Sequence, residues 1–241
     1  MLEKTKGIVL QSIKYSDSGI IVHLYTEKFG RQSALIRGLR NKKSGKHGNA
    51  FQPLFILDLE MYYKPSREIQ LLKEFSLTHP FYNISSDIRK STAAMFLSEV
   101  LSSVLGEETS NPGMFSYIEN SIIWFEGAED DFINFHISFL IGLCRYLGIE
   151  PGRKKNADEM FFDLRNGRFL SIPPLHGDYA DENTSAIIWQ FMNSSVSGSG
   201  SISLSGKTRN ETLETLIKYF SFHLPSLRNI RSLDVLREVF S

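Results

Sequence analysis

The fold is decided by the stretch Lys6-Gly-Ile-Val-Leu-Gln-Ser-Ile-Lys-Tyr-Ser-Asp-Ser-Gly-Ile-Ile-Val-His-Leu-Tyr-Thr-Glu-Lys-Phe-Gly30. It contains two β-rich runs, Gly7–Ile13 and Ile20–Tyr25. The turn-forming residues Asp17-Ser18-Gly19 separate them, so the stretch predicts two short β-strands. Phe29-Gly30 at its end marks the start of a further strand.

Three more strands are predicted, at Gln32–Arg37, Phe55–Tyr63 and Glu68–Phe75. Phe55–Tyr63 alternates apolar and polar residues with a period of two, which is typical of a half-buried strand. Five short strands bounded by turns within the first 80 residues indicate a small β-barrel. An oligonucleotide-binding (OB) barrel is the leading interpretation, and an SH3-like barrel is an alternative that the pattern does not separate from it.

After Pro80 the apolar residues recur with the spacing of a helix. The stripes predict six helices: Ser91–Leu105, Met114–Phe125, Asp130–Leu147, Glu182–Met192, Thr208–His223 and Ser232–Phe240. Asp130 and Asp131 suit the first turn of the third helix, because acidic residues interact favourably with the positive end of a helix dipole. Thr208 is the predicted cap of the fifth helix.

Two segments interrupt these helices. Residues 151–181 are irregular, but an Asn166-Gly167 turn between apolar runs predicts a small hairpin of Phe161–Leu164 and Arg168–Leu170. Ser194–Gly206 is rich in Ser and Gly and is predicted to be a flexible linker or loop.

The expected fold class is therefore α+β. Residues 1–80 form a five-stranded OB-type barrel domain, and residues 81–241 form an all-α helical domain with a small irregular insertion at about 151–181. A single cysteine, Cys144, excludes an intramolecular disulfide and fits a reducing cytosol. No apolar run approaches the ~20 residues that a membrane span needs, so we expect a cytoplasmic protein without a membrane partner.

Charge is distributed unevenly along the chain. The 241 residues contain 27 Lys+Arg and 27 Asp+Glu, but residues 1–80 alone contain 13 Lys/Arg and 7 Asp/Glu. No acidic residue occurs from Lys28 to Leu57. Such asymmetry indicates a nucleic-acid-binding part on a neutral or acidic scaffold. The basic centre is the Gly-rich segment Arg37-Gly-Leu-Arg-Asn-Lys-Lys-Ser-Gly-Lys-His-Gly48.

Aromatic residues alternate with this positive charge along the barrel. Lys and Arg bind phosphates while unpaired bases stack on aromatic rings, so the combination predicts binding of single-stranded nucleic acid. The simpler alternatives are a solvated loop and rings that form the barrel core, with Tyr15 and one of Tyr62 and Tyr63 exposed. The predicted stacking group is Tyr15, and the predicted phosphate contacts are Arg31, Arg37, Arg40, Lys42, Lys43 and Lys46.

No catalytic motif emerges from the sequence. Ser205-Gly206-Lys207-Thr208 resembles the end of a phosphate-binding loop, but Ser201 stands where that pattern needs a glycine. No two histidines have the spacing of a metal-binding pair, and His136 is expected in the core. Cys144 lies among apolar residues and is expected to be a buried structural thiol. We therefore expect no enzyme activity, no cofactor and no metal.

The residues from Lys6 to Gly30 closely resemble the N-terminus of the RecO family of bacterial DNA repair proteins. The segment Arg37-Gly-Leu-Arg-Asn-Lys-Lys-Ser44 is similar to the family's basic loop, and the resemblance continues through Phe51-Gln-Pro-Leu54 to nearly the end of the chain. It implies an OB barrel followed by a helical domain. It also implies binding of single- and double-stranded DNA, annealing of complementary strands, and, with RecR, loading of RecA onto DNA coated by single-stranded-DNA-binding protein.

This chain departs from the family pattern in its insertion. Many members carry a four-cysteine zinc site there, whereas Pro151–Asp181 contains no cysteine, so no zinc is expected. The resemblance also implies contact with the acidic C-terminal tail of single-stranded-DNA-binding protein. Such a tail needs an apolar pocket rimmed by cations, for which the candidates are Arg145, Arg153, Lys154 and Lys155.

A rival interpretation is a protein–protein adaptor whose basic barrel binds an acidic peptide or partner domain. A hydrolase is a weaker third interpretation, because the sequence contains no recognisable nucleophile, metal set or phosphate loop. The resemblance places the expected DNA-binding protein in the cytoplasm, associated with the nucleoid.

Overall fold

The computed structural model describes residues 1–16, 19–37, 48–106, 110–227 and 229–241. The chain forms two compact units, Met1–Glu126 and Gly127–Ser241. The first unit groups three helices with the barrel, whereas the domain boundary predicted near residue 80 separates strands from helices. That boundary stays a prediction.

The first unit begins with a closed five-stranded barrel. Its strands are β1 (Leu2–Lys14), β2 (Gly19–Thr26), β3 (Gly30–Arg37), β4 (Ile56–Tyr62) and β5 (Ile69–Leu77). They follow one another around the barrel in the order β1-β2-β3-β5-β4, and β4 pairs with β1 to complete the circle. Neighbouring strands are antiparallel except β3 and β5, which pair in parallel over residues 33–35 and 69–71. The predicted OB-type barrel is confirmed.

The period-two pattern of β4 determines which of its side chains enter the barrel. Leu57, Leu59 and Met61 are buried, whereas Asp58 and Tyr62 are exposed. Successive side chains of a strand point to opposite faces, so the apolar set packs into the barrel interior. A 3-10 helix, Gly48–Phe51, precedes this strand, and Phe51 is buried.

Three helices complete the first unit: α1 (Asn83–Ser86), α2 (Ile88–Val104) and α3 (Pro112–Gly127). The Asp87 carboxylate accepts hydrogen bonds from the backbone N–H groups of Arg89 and Lys90, which caps α2. The predicted apolar stripe of α2 is confirmed, because its members Phe96, Leu97, Val100, Leu101 and Val104 are all buried.

The second unit contains four helices and a small sheet. The helices are α4 (Phe135–Tyr146), α5 (Glu182–Met192), α6 (Gly206–His223) and α7 (Ser232–Val239), and the strands are β6 (Phe161–Asp163), β7 (Arg168–Leu170) and β8 (Tyr179–Ala180). The predicted hairpin is confirmed as β6–β7. Gly167 occupies the turn with a φ of +62°, a conformation that favours glycine. The third strand, β8, pairs with β6 and was not predicted.

Four helix starts differ from the predictions. α2 and α3 begin earlier, at Ile88 and Pro112 rather than at Ser91 and Met114. α4 begins at Phe135 rather than Asp130, so Asp130 and Asp131 precede the helix and do not form its first turn. α6 begins at Gly206, and its cap is Ser205 rather than Thr208. The Ser205 hydroxyl accepts a hydrogen bond from the Thr208 N–H at 3.1 Å, which satisfies a free donor of the first helical turn.

The Ser/Gly-rich segment, predicted to be a flexible linker or loop, contains regular structure and buried contacts. Val196–Ser201 forms a 3-10 helix in which Ser199 is buried. The Asn134 side-chain amide donates hydrogen bonds to the carbonyls of Ser199 (3.2 Å) and Ile202 (2.6 Å). Gly200 lies so close to Asp131 that a Cβ on it would be 2.6 Å from the Asp131 carbonyl oxygen. The small size of Gly200 therefore allows this segment to pack closely against the backbone of Asp131.

Candidate nucleic-acid interface

The outer face of β3 carries a row of alternate residues, Arg31, Ser33, Leu35 and Arg37. All four are partly or fully exposed, whereas the intervening Ala34 and Ile36 are buried in the barrel. On the neighbouring strand, His23 pairs with Ser33 and Ile21 pairs with Leu35. The row therefore has an arginine at each end with Ser33 and Leu35 between them, and it spans about 20 Å at the rise of a β-strand.

A cleft of about 700 Å³ lies at the Arg31 end of this row. Its walls are the outer face of β2 and β3 and the connection between β4 and β5. Its aromatic and charged or titratable side chains are His23, Phe29, Arg31, Tyr63, Arg67 and Glu68. This cleft therefore combines aromatic rings with two guanidinium groups and one carboxylate.

Arg31 is held in place from behind. Its Nη1 donates a 2.8 Å hydrogen bond to the carbonyl oxygen of Ser102 in α2. Guanidinium has five N–H donors, so this bond positions the group and leaves donors for a further ligand. Its strand neighbour His23 is tied to the hydroxyl of Ser33, with 2.9 Å between Nδ1 and Oγ. Burial, and secondly the Arg31 charge, lower the pKa of His23, which favours the neutral imidazole.

A second cleft lies at the Arg37 end of the row. Tyr15 and Arg37 line it, together with apolar side chains that include Ile21, Leu35 and Leu71. The two clefts share Arg67 and Ile69. They are therefore contiguous along the outer face of β3.

The aromatic residues of the barrel divide only partly as the sequence predicts, because Phe29 is half-buried and not in the core. Tyr25 and Phe51 are buried in the core. Tyr15 is 63% exposed and Tyr62 is 44% exposed, which confirms the expected exceptions. The rings of Phe29 and Tyr63 are half-buried and stack on each other, with 3.9 Å between centroids and an interplanar angle of 17°.

The cations of the clefts differ from those elsewhere on the barrel. Lys4 and Lys73 each contact the Glu60 carboxylate, at 2.8 and 3.0 Å. In the part of the chain that the structure describes, neither Arg37 nor Arg67 lies within ion-pair distance of a carboxylate. Their charge is therefore available to an anionic ligand.

The other predicted DNA contacts lie outside the described residues: Arg40, Lys42, Lys43 and Lys46. Of the residues proposed for the protein tail, Arg145 is exposed in the last turn of α4. Arg153 and Lys155 are exposed in the insertion. Lys154 is partly buried, and its ammonium lies 5.0 Å from the ring centroid of Phe169 and 5.9 Å from that of Trp189.

The groups suspected of chemistry are placed as structural residues. His136 and Cys144 are both buried, as expected. Burial raises the pKa of the Cys144 thiol, which disfavours the nucleophilic thiolate. Among the described residues, no group of three His, Cys, Asp or Glu side chains could hold a metal ion. No described helix has the length and apolar character needed to cross a bilayer.

Sequence reasoning missed Arg67 and His23 as members of the clefts. Arg67 follows Lys64-Pro65-Ser66, between the strands predicted at Phe55–Tyr63 and Glu68–Phe75. A basic residue in the connection between the fourth and fifth strands is a usable signal, because OB barrels bind ligands with that loop and with the face of strands two and three.

The geometry agrees with comparisons to known proteins. The family described as "Recombination protein O N terminal" matches residues 1–81, and "Recombination protein O C terminal" matches residues 85–233. The chain belongs to the RecO family. It is 37% identical to the DNA repair protein RecO of Phocaeicola vulgatus and 36% identical to that of Bacteroides fragilis, in both cases over 241 residues and the full length of each chain. The RecO of Flavobacterium psychrophilum is 33% identical over 99% of both chains.

The RecO N-terminal match coincides with the barrel, and the C-terminal match begins in α1. RecO proteins act in DNA repair and recombination, as the names of the family and of these relatives state. The clefts on the outer face of β3 thus lie in the part of the chain matched by the RecO N-terminal description.

Proposed function

We propose that this chain is a DNA-binding recombination mediator. It binds single- and double-stranded DNA and anneals complementary strands. Together with RecR it helps to load RecA onto DNA coated by single-stranded-DNA-binding protein. It acts by binding and without turnover chemistry, in the cytoplasm and in association with the nucleoid.

The observation that carries DNA binding is the pair of contiguous clefts on the outer face of β3. Arg31, Arg37 and Arg67 bring three guanidinium groups to this face. Guanidinium binds phosphate through paired hydrogen bonds. The basic segment with Arg40, Lys42, Lys43 and Lys46 follows Arg37 directly in the sequence, and we propose that these residues also contact DNA. Phosphate contacts carry no sequence information, and binding is expected to be independent of sequence.

Fluorescence anisotropy of a labelled single strand of ~30 nucleotides tests this proposal. Each phosphate contact on a single strand contributes about −0.7 to the slope of log K against log salt. Four to six contacts give a slope of about −3 to −4. A slope near zero, or absence of binding at low salt, would refute DNA binding by this protein.

A pair of variants assigns the binding to the clefts. Arg37→Gln combined with Arg67→Gln removes two contacts and is expected to make the slope less negative by about 1.4. Lys4→Gln is the matched control, because Lys4 is an exposed barrel cation that contacts Glu60 and lines neither cleft. If the double variant keeps the wild-type slope, the DNA site lies elsewhere on the chain. Displacement of the strand by an acidic peptide at equal charge would favour the adaptor instead.

We also propose that the acidic tail of single-stranded-DNA-binding protein contacts Arg145, Arg153, Lys154 and Lys155. The support is local: the Lys154 ammonium lies over the rings of Phe169 and Trp189, so positive charge and apolar surface are adjacent there. A labelled peptide with the tail sequence is expected to bind the wild type more tightly than Arg153→Glu with Lys155→Glu. Lys207→Glu, on an exposed lysine of α6, is the control.

A further inference from the structure

We infer that residues 171–177, the loop between β7 and β8, form an apolar wedge that inserts between neighbouring base pairs of duplex DNA. The inserting side chains are Ile172 and Leu175. The inference rests on the proposed function, because it takes DNA as the ligand, and adds to it a duplex contact in the second unit. The clefts on β3 belong to the first unit.

The loop exposes large apolar side chains, although the strands of the same small sheet bury theirs. Ile172 is 75% exposed, and Leu175 is 107% exposed, which means that it is at least as open to solvent as in an extended peptide. Phe162 of β6 and Phe169 of β7 are both buried. Removal of apolar surface from water is favourable, so Ile172 and Leu175 are available to bind an apolar ligand surface.

The loop is held in shape by its two prolines and by His176. Pro173 and Pro174 each have a fixed φ and favour an extended conformation in the residue before them. His176 Nδ1 accepts a hydrogen bond from the Asp178 N–H at 3.1 Å, and its Nε2 lies 3.3 Å from Oδ1 of the buried Asp163. The apolar tip is therefore ordered before a ligand binds, which reduces the entropy cost of binding.

Positively charged side chains flank the loop. Arg165 and Lys218 both contact the carboxylate of Asp178, and their side chains are 51% and 50% exposed, against 18% for Asp178. Arg168, in the strand that leads into the loop, is exposed, and in the described part of the chain no carboxylate lies within ion-pair distance of it. These four side chains together present net positive charge to solvent, which complements the phosphates on either side of a base step.

The size of the apolar tip favours DNA over a protein as its ligand. A stable protein interface buries about 800 Å² on each partner, which is far more than two aliphatic side chains supply. Proteins that kink DNA, by contrast, insert single side chains such as Leu, Ile or Pro between base steps. A tip of two aliphatic side chains with cations beside it therefore has the composition of a DNA wedge.

The fluorescence of a modified duplex tests insertion by the full-length protein. A duplex of ~30 base pairs contains TA steps, which unstack easily, with 2-aminopurine in place of adenine. Stacking quenches the emission of this base, so insertion by the wild type is expected to increase it. Ile172→Ser combined with Leu175→Ser is expected to abolish the increase and to weaken duplex binding ~10-fold. Single-strand binding is expected to stay unchanged, because a single strand has no paired step to open.

Two controls separate insertion from less specific effects. Ile172→Leu combined with Leu175→Ile keeps the tip apolar and is expected to retain the increase in emission. Val235→Ser, at an apolar residue of α7 that is 44% exposed, is expected to behave as the wild type.

The salt dependence separates the tip from the cations beside it. The serine variant removes no charge, so its slope of log K against log salt for the duplex is expected to equal that of the wild type. Arg168→Gln removes one phosphate contact and is expected to make this slope less negative by about 0.9.

The outcomes distinguish failure of the wedge from failure of the proposed function. If the wild type binds no DNA, the proposed function fails and the wedge fails with it. If the wild type binds DNA without an increase in emission, or the serine variant keeps both the increase and the affinity, the wedge is refuted while DNA binding stands. Equal weakening of single-strand and duplex binding by the serine variant would also refute insertion between base pairs.

Discussion

The ammonium group of Lys90 donates a 2.7 Å hydrogen bond to the carbonyl oxygen of Phe125 and a 3.1 Å bond to that of Glu126. Lys90 belongs to α2, and the two carbonyls lie at the end of α3. A cation at this position donates to carbonyls at the end of the helix and interacts favourably with the negative end of the helix dipole. In the opposite direction, the Glu126 carboxylate accepts hydrogen bonds from the N–H groups of Asn83 and Ile84.

Lys90→Met is expected to destabilise the protein by ~1–3 kcal/mol. The substitution keeps the length of the side chain but leaves the Phe125 and Glu126 carbonyls without this donor. Urea unfolding measures the loss. Lys73→Met is the control, because Lys73 makes an exposed ion pair with Glu60, and such pairs contribute little to stability. Equal effects of the two substitutions would contradict the capping role of Lys90.

Arg209→Met is expected to destabilise the second unit by ~3 kcal/mol or more. The buried Arg209 guanidinium donates to Asn134 Oδ1 at 2.9 Å, to the Leu204 carbonyl at 3.0 Å and to the Phe240 carbonyl at 3.1 Å. Its removal orphans three acceptors from separate parts of the unit. Calorimetry of the wild type and the variant measures the effect. Lys207→Met, at a lysine whose side chain is 85% exposed, is expected to change stability by less than ~0.5 kcal/mol.

His136 is expected to make the protein less stable in acid. Among the residues that the structure describes, neither of its ring nitrogens has a hydrogen-bond partner. Burial, and secondly the charge of Arg209, lower its pKa from 6.5 to about 3. His136 is therefore protonated below about pH 6.5 in the unfolded chain but only below about pH 3 in the folded protein. The stability due to this group is complete above pH 6.5 and is lost as the pH falls, by ~1.4 kcal/mol per unit.

The variant His136→Phe isolates this contribution. It keeps a ring beside Phe240, whose centroid lies 5.0 Å away, and removes the unpaired nitrogens. Urea midpoints measured from pH 7 to pH 4.5 are expected to decline less steeply in the variant than in the wild type. Parallel pH dependences would show that His136 is not the residue responsible.

Gly200→Ala is expected to destabilise the second unit by ~1–3 kcal/mol. The added Cβ would be 2.6 Å from the carbonyl oxygen of Asp131, and a backbone atom cannot move aside as the end of a side chain can. Thermal unfolding measures the change. Gly127→Ala is the matched control, because no atom lies within 4 Å of the position of its added Cβ. A neutral Gly200→Ala would mean that this close approach is not required.

Sequence periodicity was sufficient where a whole element follows one pattern. The alternation in β4 and the apolar stripe of α2 depend on many residues, so a single exception such as buried Ile56 does not change the prediction. Periodicity was insufficient where a contact between residues distant in the sequence determines the end of an element. Asp131 suits a helix start by its charge, yet its backbone packs against Gly200, and the helix begins only at Phe135.

The sequence was sufficient to predict a basic, aromatic site on the barrel but not all of the residues that form it. Arg31, Arg37 and Tyr15 were identified from local charge and aromatic content, and the structure places all three on the clefts. Arg67 joins them only because β5 pairs with β3 across 35 residues of chain, which local patterns do not encode. The same long-range pairing creates the contiguity of the two clefts.

The parallel pairing of β3 with β5 has a consequence for the motion of the barrel. Its register covers three residue pairs, 33–35 with 69–71, and is shorter than that of every other pair of neighbouring strands in the barrel. The β3–β5 pairing is therefore the least stable in the barrel, and local opening of the sheet is expected to occur there first. Both clefts are lined by residues of β3 and β5. A DNA strand bound there is therefore expected to hold the two strands together and to slow hydrogen exchange of their backbone amides.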